Sequence, residues 1–136
     1  MAGTVTVTRV PIRSKIQNRL VEKIIIDWVG DAADGSTPLT TITSLVGYLF
    51  KGITIPLSPS PTASYNVKLF DPEATTFNTL ITKLDSRSAT LTEEVYLTPS
   101  AGVNPIVVAG DYQFQITGNV VNSAKGRVIL YYQDGF

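Results

Sequence analysis

The sequence predicts an all-β, mainly antiparallel domain folded as a β-sandwich or barrel, with an extended N-terminal arm and at most one short helix. Three observations indicate this class. Apolar and polar residues alternate with a period of two, β-branched and aromatic residues are concentrated in the alternating stretches, and Gly, Pro, Asn and Ser separate those stretches. A length of 136 residues with 43% hydrophobic residues is enough for one domain with its own core.

The N-terminal segment alternates Thr and Val over residues 4–10, then meets Pro11 and a basic stretch that ends at Arg19. A lone strand buries too little surface to offset its ordering entropy, so it needs a partner sheet. We therefore expect residues 1–20 to leave the globular domain, residues 21–136, and to pair with a neighbouring chain. The alternative is an ordinary first strand in the chain's own sheet. In the arm interpretation, the residues that contact the partner are Val5, Val7, Val10, Arg13, Lys15 and Arg19.

The next segment is rich in β-branched and aromatic residues and predicts a strand over 21–29, followed by a polar turn region at 30–36. The apolar stretch after it, 39–55, contains Gly47 and Gly52. Glycines inside a strand pattern favour a bend or a bulge. We therefore predict two strands in this stretch, ended by the prolines that follow it.

Strand patterns continue through the second half of the chain, at 64–70, 88–97, 106–109, 112–117 and 127–133. Between the first two of these, four apolar residues have helical spacing, which predicts either one short helix or a loop with apolar contacts; they are Phe77, Leu80, Ile81 and Leu84. The period-two placement in the clearest strands predicts a buried core of Ile24, Ile26, Trp28, Val67, Leu69, Phe114, Ile116, Val128 and Leu130.

Several kinds of chemistry are disfavoured by composition. His and Cys are absent, which removes the commonest general base, the commonest metal ligands, thiolate catalysis and disulfides. The segment 31–35 lacks the ligand spacing of a calcium-binding loop, and the chain carries no glycine motif for phosphate binding. We expect a solvated turn at 31–35, no catalytic residue, no metal site and no cofactor.

Charge is sparse and balanced. Charged residues make up 16% of the chain, with 11 basic and 11 acidic side chains, which argues against nucleic-acid binding. A surface of low charge costs less to desolvate against a neighbouring protein. The first residues do not form a signal peptide, and no apolar run is long enough to cross a bilayer. We therefore expect a soluble, non-enzymatic protein, made in the cytoplasm, that binds other protein surfaces.

The order of these features resembles a family of small structural proteins of tailed bacteriophages. The most recognisable segment, Tyr-Asn-Val-Lys-Leu-Phe-Asp at 65–71, is similar to the Tyr-Asp-Val-x-Leu-x-Asp strand of that family. The resemblance runs from about Lys23 to Gln133. Its other parts are Asp27-Trp28 before a Gly/Asp/Ser-rich loop, the glycine-flanked strand 47–53, the Pro-rich segment 56–61, Arg87-Ser88 and the closing strand 126–132.

This resemblance implies a virion component made in the host cytoplasm, above all a capsid decoration (cement) protein that stabilises the lattice of the major capsid protein. It also implies a homo-oligomer, with a trimer expected at threefold positions. One alternative is a tail, neck or head-fibre component. Another is a carbohydrate- or receptor-binding β-sandwich, which requires exposed aromatic residues among Tyr48, Tyr65 and Tyr96.

Overall fold

The computed structural model describes residues 2–13, 20–71, 84–97 and 106–134. These residues form seven strands joined in one sheet, and every pairing is antiparallel. The prediction of an all-β, antiparallel domain is confirmed. The strands are β1 (Thr4–Arg13), β2 (Leu20–Val29), β3 (Thr40–Pro56), β4 (Asn66–Phe70), β5 (Glu93–Tyr96), β6 (Ile106–Thr117) and β7 (Lys125–Asp134).

The strands follow one another across the sheet in the order β1-β2-β7-β3-β6-β4, and β5 pairs with β3. The long strand β3 belongs to two halves of the sheet. Its second part, Gly47–Pro56, pairs with β7, whereas its first part, Thr40–Leu49, pairs with β6. One half therefore contains β1, β2, β7, β5 and the second part of β3, and the other contains the first part of β3, β6 and β4.

The sheet is bent so that the inner faces of its two halves pack against each other. The ring of Trp28 on β2 lies 5.7 Å from the ring of Tyr65, which directly precedes β4, although three strands separate β2 from β4 in the sheet. Arg9 on β1 donates a hydrogen bond to the carbonyl of Thr43 on β3. Both layers of the expected sandwich are thus parts of one open sheet folded over its core.

The apolar stretch at 39–55 forms one strand rather than the two that were predicted. Its register shifts twice, between Ile42 and Leu45 and between Leu49 and Lys51, so two β-bulges bend the strand without ending it. Gly52 has a packing role instead, since a Cβ atom there would lie 3.0 Å from a methyl group of Leu84.

Two predicted strands, 106–109 and 112–117, are likewise one continuous strand, β6, which contains Gly110 at φ 122°. The prediction for 88–97 was too long, because only Glu93–Tyr96 pairs as a strand. The backbone N–H groups of residues 90 and 91 bond instead to Ser88 Oγ in a turn. Apart from buried Leu84, the predicted helix lies outside the described residues.

The N-terminal prediction needs a correction. β1 pairs with β2 of its own chain along ten residues, from Thr4 opposite Val29 to Arg13 opposite Leu20, as in the alternative considered above. The physical reason is that pairing with β2 gives the strand a ten-residue ladder and packs Val5 and Val7 against the chain's own core. Among the six proposed contact residues, the side chains of Arg13, Lys15 and Arg19 lie outside the described part of the structure.

The core prediction is confirmed, since all nine side chains named from the period-two pattern are buried. Three tyrosines, Tyr65, Tyr112 and Tyr132, extend the same core. Glu22 is also buried and receives hydrogen bonds from Arg9 on the neighbouring strand. Within the described ranges, no helix is long and apolar enough to cross a membrane.

Candidate protein-docking surface

The feature of the fold that invites a functional interpretation is the outer face, defined as the outward-facing side chains of β1, β2, β7, β5 and the second part of β3. At its centre, Ile25, Ile129 and Ile53 lie directly opposite one another on three adjacent strands. Each of these side chains is partly exposed. An antiparallel sheet that covers a core with one face normally presents polar residues on the other. This isoleucine row departs from that pattern.

A second row, next to the isoleucine row, is built around Tyr131. The bulge in β3 places both Phe50 and Lys51 against this residue. Lys51 Nζ lies 5.0 Å and Lys23 Nζ 5.5 Å from the centroid of the Tyr131 ring, and the Phe50 ring centroid lies 6.2 Å away. These are distances at which an ammonium group is attracted to an aromatic ring. The ring is therefore held in a fixed position at the surface.

Lys51 is also paired with the carboxylate of Glu94 on β5. The hydrogen bond from Lys51 to Glu94 is the main cause that raises the pKa of the Lys51 ammonium group, so its charge is retained. Opposite Lys51 on β5 stands Tyr96, whose side chain is 73% exposed. The row thus ends in an aromatic side chain free to contact another molecule.

The third row continues the apolar surface toward one end of the strands. Ile12 on β1 faces Val21 on β2, and Tyr48 on β3 faces Val107 on β6. Ile12 is 44% exposed and Val107 55% exposed. Gln133 on β7 lies between Val21 and Tyr48, so this row has an apolar pair on each side of one polar side chain.

A charged row bounds the outer face on the opposite side. Arg127 Nε donates to Asp27 Oδ1 at 2.6 Å, and this hydrogen bond raises the pKa of the arginine. Lys23 and Lys125 have no carboxylate within ion-pair distance among the described residues. The outward-facing charges of these rows therefore carry a positive excess, which favours an acidic or neutral partner surface.

The turn at residues 31–35 uses its carboxylates for folding. Asp31 Oδ1 accepts a hydrogen bond from Ala33 N at 2.6 Å, and Asp34 Oδ1 accepts one from Ser36 N at 2.9 Å. The hydrogen bonds from Ser36 are also the main causes that lower the pKa of Asp34. The prediction of a turn is confirmed. Among the described residues, acidic side chains do not cluster in threes as a metal site would require.

The structure places some of the residues proposed from the sequence in the core and others on the outer face. Val5 and Val7 face the core, whereas Val10 lies on the outer face opposite Lys23 and is partly exposed. Among the three tyrosines named for a carbohydrate site, Tyr65 is fully buried and cannot contact a ligand. Tyr48 and Tyr96 both belong to the outer face.

Sequence reasoning missed the isoleucine row, although a signal was present. Three consecutive isoleucines, Ile24, Ile25 and Ile26, place one apolar side chain on the outer face between two in the core. On the outer face, Ile25 lies between the charged side chains of Lys23 and Asp27.

Comparison of the chain with protein-family models, with curated proteins and with solved structures gives no match. The geometry and chemistry of the outer face therefore carry the functional interpretation.

Proposed function

We propose that the protein is a structural component of a bacteriophage virion, namely a capsid decoration protein that binds the major capsid protein through its outer face. The observation that carries this proposal is the isoleucine row of Ile25, Ile129 and Ile53, which is partly exposed at the centre of the sheet. The resemblance of the sequence to small phage structural proteins supplies the biological setting. In this setting the protein acts by binding and stabilising, without catalysis.

The physical basis of the interaction is burial of apolar surface. The free energy falls when a neighbouring protein removes from water the three isoleucines and the rings of Phe50, Tyr131 and Tyr96. Aromatic residues at the centre of an interface and few charges are the usual composition of protein-binding patches. Lys23 contributes a favourable contact with an acidic partner, and salt weakens that contribution.

The copy number per particle distinguishes a capsid decoration protein from proteins at other virion positions. A decoration protein covers the lattice. Purified virions of the bacteriophage that encodes it should therefore contain it in a copy number comparable to that of the major capsid protein. A few copies per particle would instead place it in the tail, neck or head fibre. Absence from particles together with saturable binding to a glycan array would overturn the proposal in favour of a carbohydrate-binding module.

Surface variants test the docking face itself. Tyr96→Lys and Ile129→Lys should each reduce binding to particles that lack the protein by at least about tenfold, because a charge replaces apolar contact area in the interface. Thr41→Lys is the matched control, since Thr41 is exposed on the other half of the sheet. Tyr96 is the decisive position, because Tyr96 is exposed and its replacement should leave folding unaffected. Wild-type binding by Tyr96→Lys and Ile129→Lys together would exclude the outer face as the docking surface.

A further inference from the structure

The outer edge of β1 is a second surface able to bind a protein, and it is distinct from the outer face. β1 is the terminal strand in the sheet order, and β2 is its partner among the described strands. An edge strand presents backbone N–H and C=O groups that can extend the sheet to another chain. What β1 can pair with depends on its side chains and on how its edge is protected.

Protection against edge pairing is concentrated in the second part of β1. Natural sheets protect their edges with proline and with charged residues that point inward. Here Arg9 points inward to Glu22, and Pro11 lacks a backbone N–H. The first part, residues 4–8, has neither device and consists only of Thr and Val. This part of the edge is left able to pair.

The sequence of this unprotected part is a palindrome, Thr-Val-Thr-Val-Thr. Two copies of such a segment, placed antiparallel about a twofold axis at Thr6, pair Thr4 with Thr8, Val5 with Val7 and Thr6 with itself. Residues directly opposite in an antiparallel pair point to the same side of the sheet. The valines of both copies therefore meet on the inner face and the threonines on the outer face.

The pairing also satisfies the chemistry of each face. Val5 and Val7 are only partly buried at the margin of the core, so a second copy covers their remaining exposed surface. Cross-strand Thr–Thr pairs are favourable, and no like charges meet within the five-residue segment. Just beyond it, Arg9 would stand opposite Gly3, and its charge is already bound by Glu22.

We propose that two copies of this chain associate through residues 4–8 of β1, forming a twofold-symmetric dimer with one continuous sheet. A twofold axis requires the same patch on both subunits, and a palindromic edge strand provides it. In a joined antiparallel sheet the two outer faces lie on the same side. The dimer then presents two docking faces in parallel to one partner surface, but its formation does not depend on that docking.

Oligomeric state gives the first test of this inference. Sedimentation equilibrium of the full chain at micromolar concentration should show a dimer, and Thr6→Lys should shift it to a monomer because two ammonium groups would meet on the axis. Tyr96→Lys, on the outer face, should remain dimeric, which separates this inference from the proposed docking function. A wild-type monomer, the trimer implied by the family resemblance, or a dimer unaffected by Thr6→Lys would each overturn the proposal.

Cross-linking tests the register, and the absence of native cysteines makes the reading simple. Thr6→Cys should cross-link to itself with a short bismaleimide far faster than Ser60→Cys, an exposed control outside β1. In a mixture of Thr4→Cys and Thr8→Cys, the product that joins the two different variants should predominate. Equal yields for Thr6→Cys and Ser60→Cys would contradict a twofold axis at Thr6.

Discussion

The hydroxyl group of Tyr132 on β7 bonds both backbone groups of Val46 on β3, accepting from Val46 N at 2.5 Å and donating to Val46 O at 2.6 Å. The register of β7 ends opposite Gly47, so Val46 lies just beyond the last strand pair. Among the described residues, the tyrosine hydroxyl is thus the partner of both backbone groups of Val46 at the point where β3 passes from one half of the sheet to the other.

Tyr132→Phe should therefore lower the free energy of unfolding by about 1–3 kcal/mol, because it removes the hydroxyl that bonds both backbone groups of Val46. Tyr131→Phe is the matched control on the opposite face, and it should change stability by less than about 0.5 kcal/mol, as surface substitutions do. Chemical denaturation of both variants measures the difference. Equal losses would show that Tyr132 acts through its ring alone.

Breaking the partly buried ion pair of Arg9 and Glu22 should cost more stability than breaking the exposed pair of Arg127 and Asp27. The Glu22 side chain is 8% exposed, and Arg9 Nη2 lies 3.3 Å from its Oε2 atom. Arg9→Met should cost about 3–5 kcal/mol, because it leaves a buried carboxylate without its cation. Arg127→Met breaks the exposed pair with Asp27 and should cost less than about 1 kcal/mol. If the two losses are similar, water reaches Glu22 freely.

Gly126 and Trp28 predict a steric effect. A Cβ atom at position 126 would lie 2.6 Å from three atoms of the Trp28 ring, which is 1% exposed and has no room to shift. Gly126→Ala should therefore destabilise the protein by about 1–3 kcal/mol through overpacking. Trp28→Phe should cost less in the Gly126→Ala background than in the wild type, since the smaller ring removes the clash. Additive losses in this double-mutant cycle would contradict the contact.

The burial of the Tyr65 hydroxyl predicts that part of the free energy of unfolding is lost at alkaline pH. Burial is the main cause that raises the pKa of its hydroxyl above 10.0, and the neighbouring hydroxyl of Thr54 partly offsets it, although their geometry falls short of a full hydrogen bond. The folded state keeps this proton where the unfolded state has lost it. Its contribution to stability is thus complete below pH 10 and is lost as the pH rises through the folded pKa.

The wild type should therefore lose more stability above pH 10 than Tyr65→Phe does, when each is compared with its own value at pH 8. Urea unfolding at a series of pH values measures both curves, and the other tyrosines contribute equally to each. Parallel curves would mean that the Tyr65 hydroxyl ionises in the folded protein as it does in water.

Much of the fold could be predicted from the sequence because alternation reports directly on burial. Ile24, Ile26 and Trp28 alternate with less buried neighbours, and all three lie in the core. Strand boundaries inside apolar stretches were less predictable. Gly47 and Gly52 indicated a break in 39–55, yet two bulges absorb the irregularity while the strand continues through both of them.

The position of each strand in the sheet could not be predicted, because it depends on contacts between distant segments. Nothing local to Thr4–Arg13 distinguishes pairing with β2 of the same chain from pairing with another copy. The outer face was missed for the same reason, since Ile25, Ile53 and Ile129 come from strands far apart in sequence and become a row only after β7 is in place.

The place of β7 between β2 and β3 has a consequence for synthesis. Asp27 and Arg127 are partners across two adjacent strands although 100 residues separate them. While the ribosome is still making the intervening chain, the side of β2 that later pairs with β7 has no strand partner, a feature that favours aggregation of incomplete chains. Only the arrival of β7 joins β1 and β2 to β3, so the outer face first exists on a chain whose seventh strand is complete.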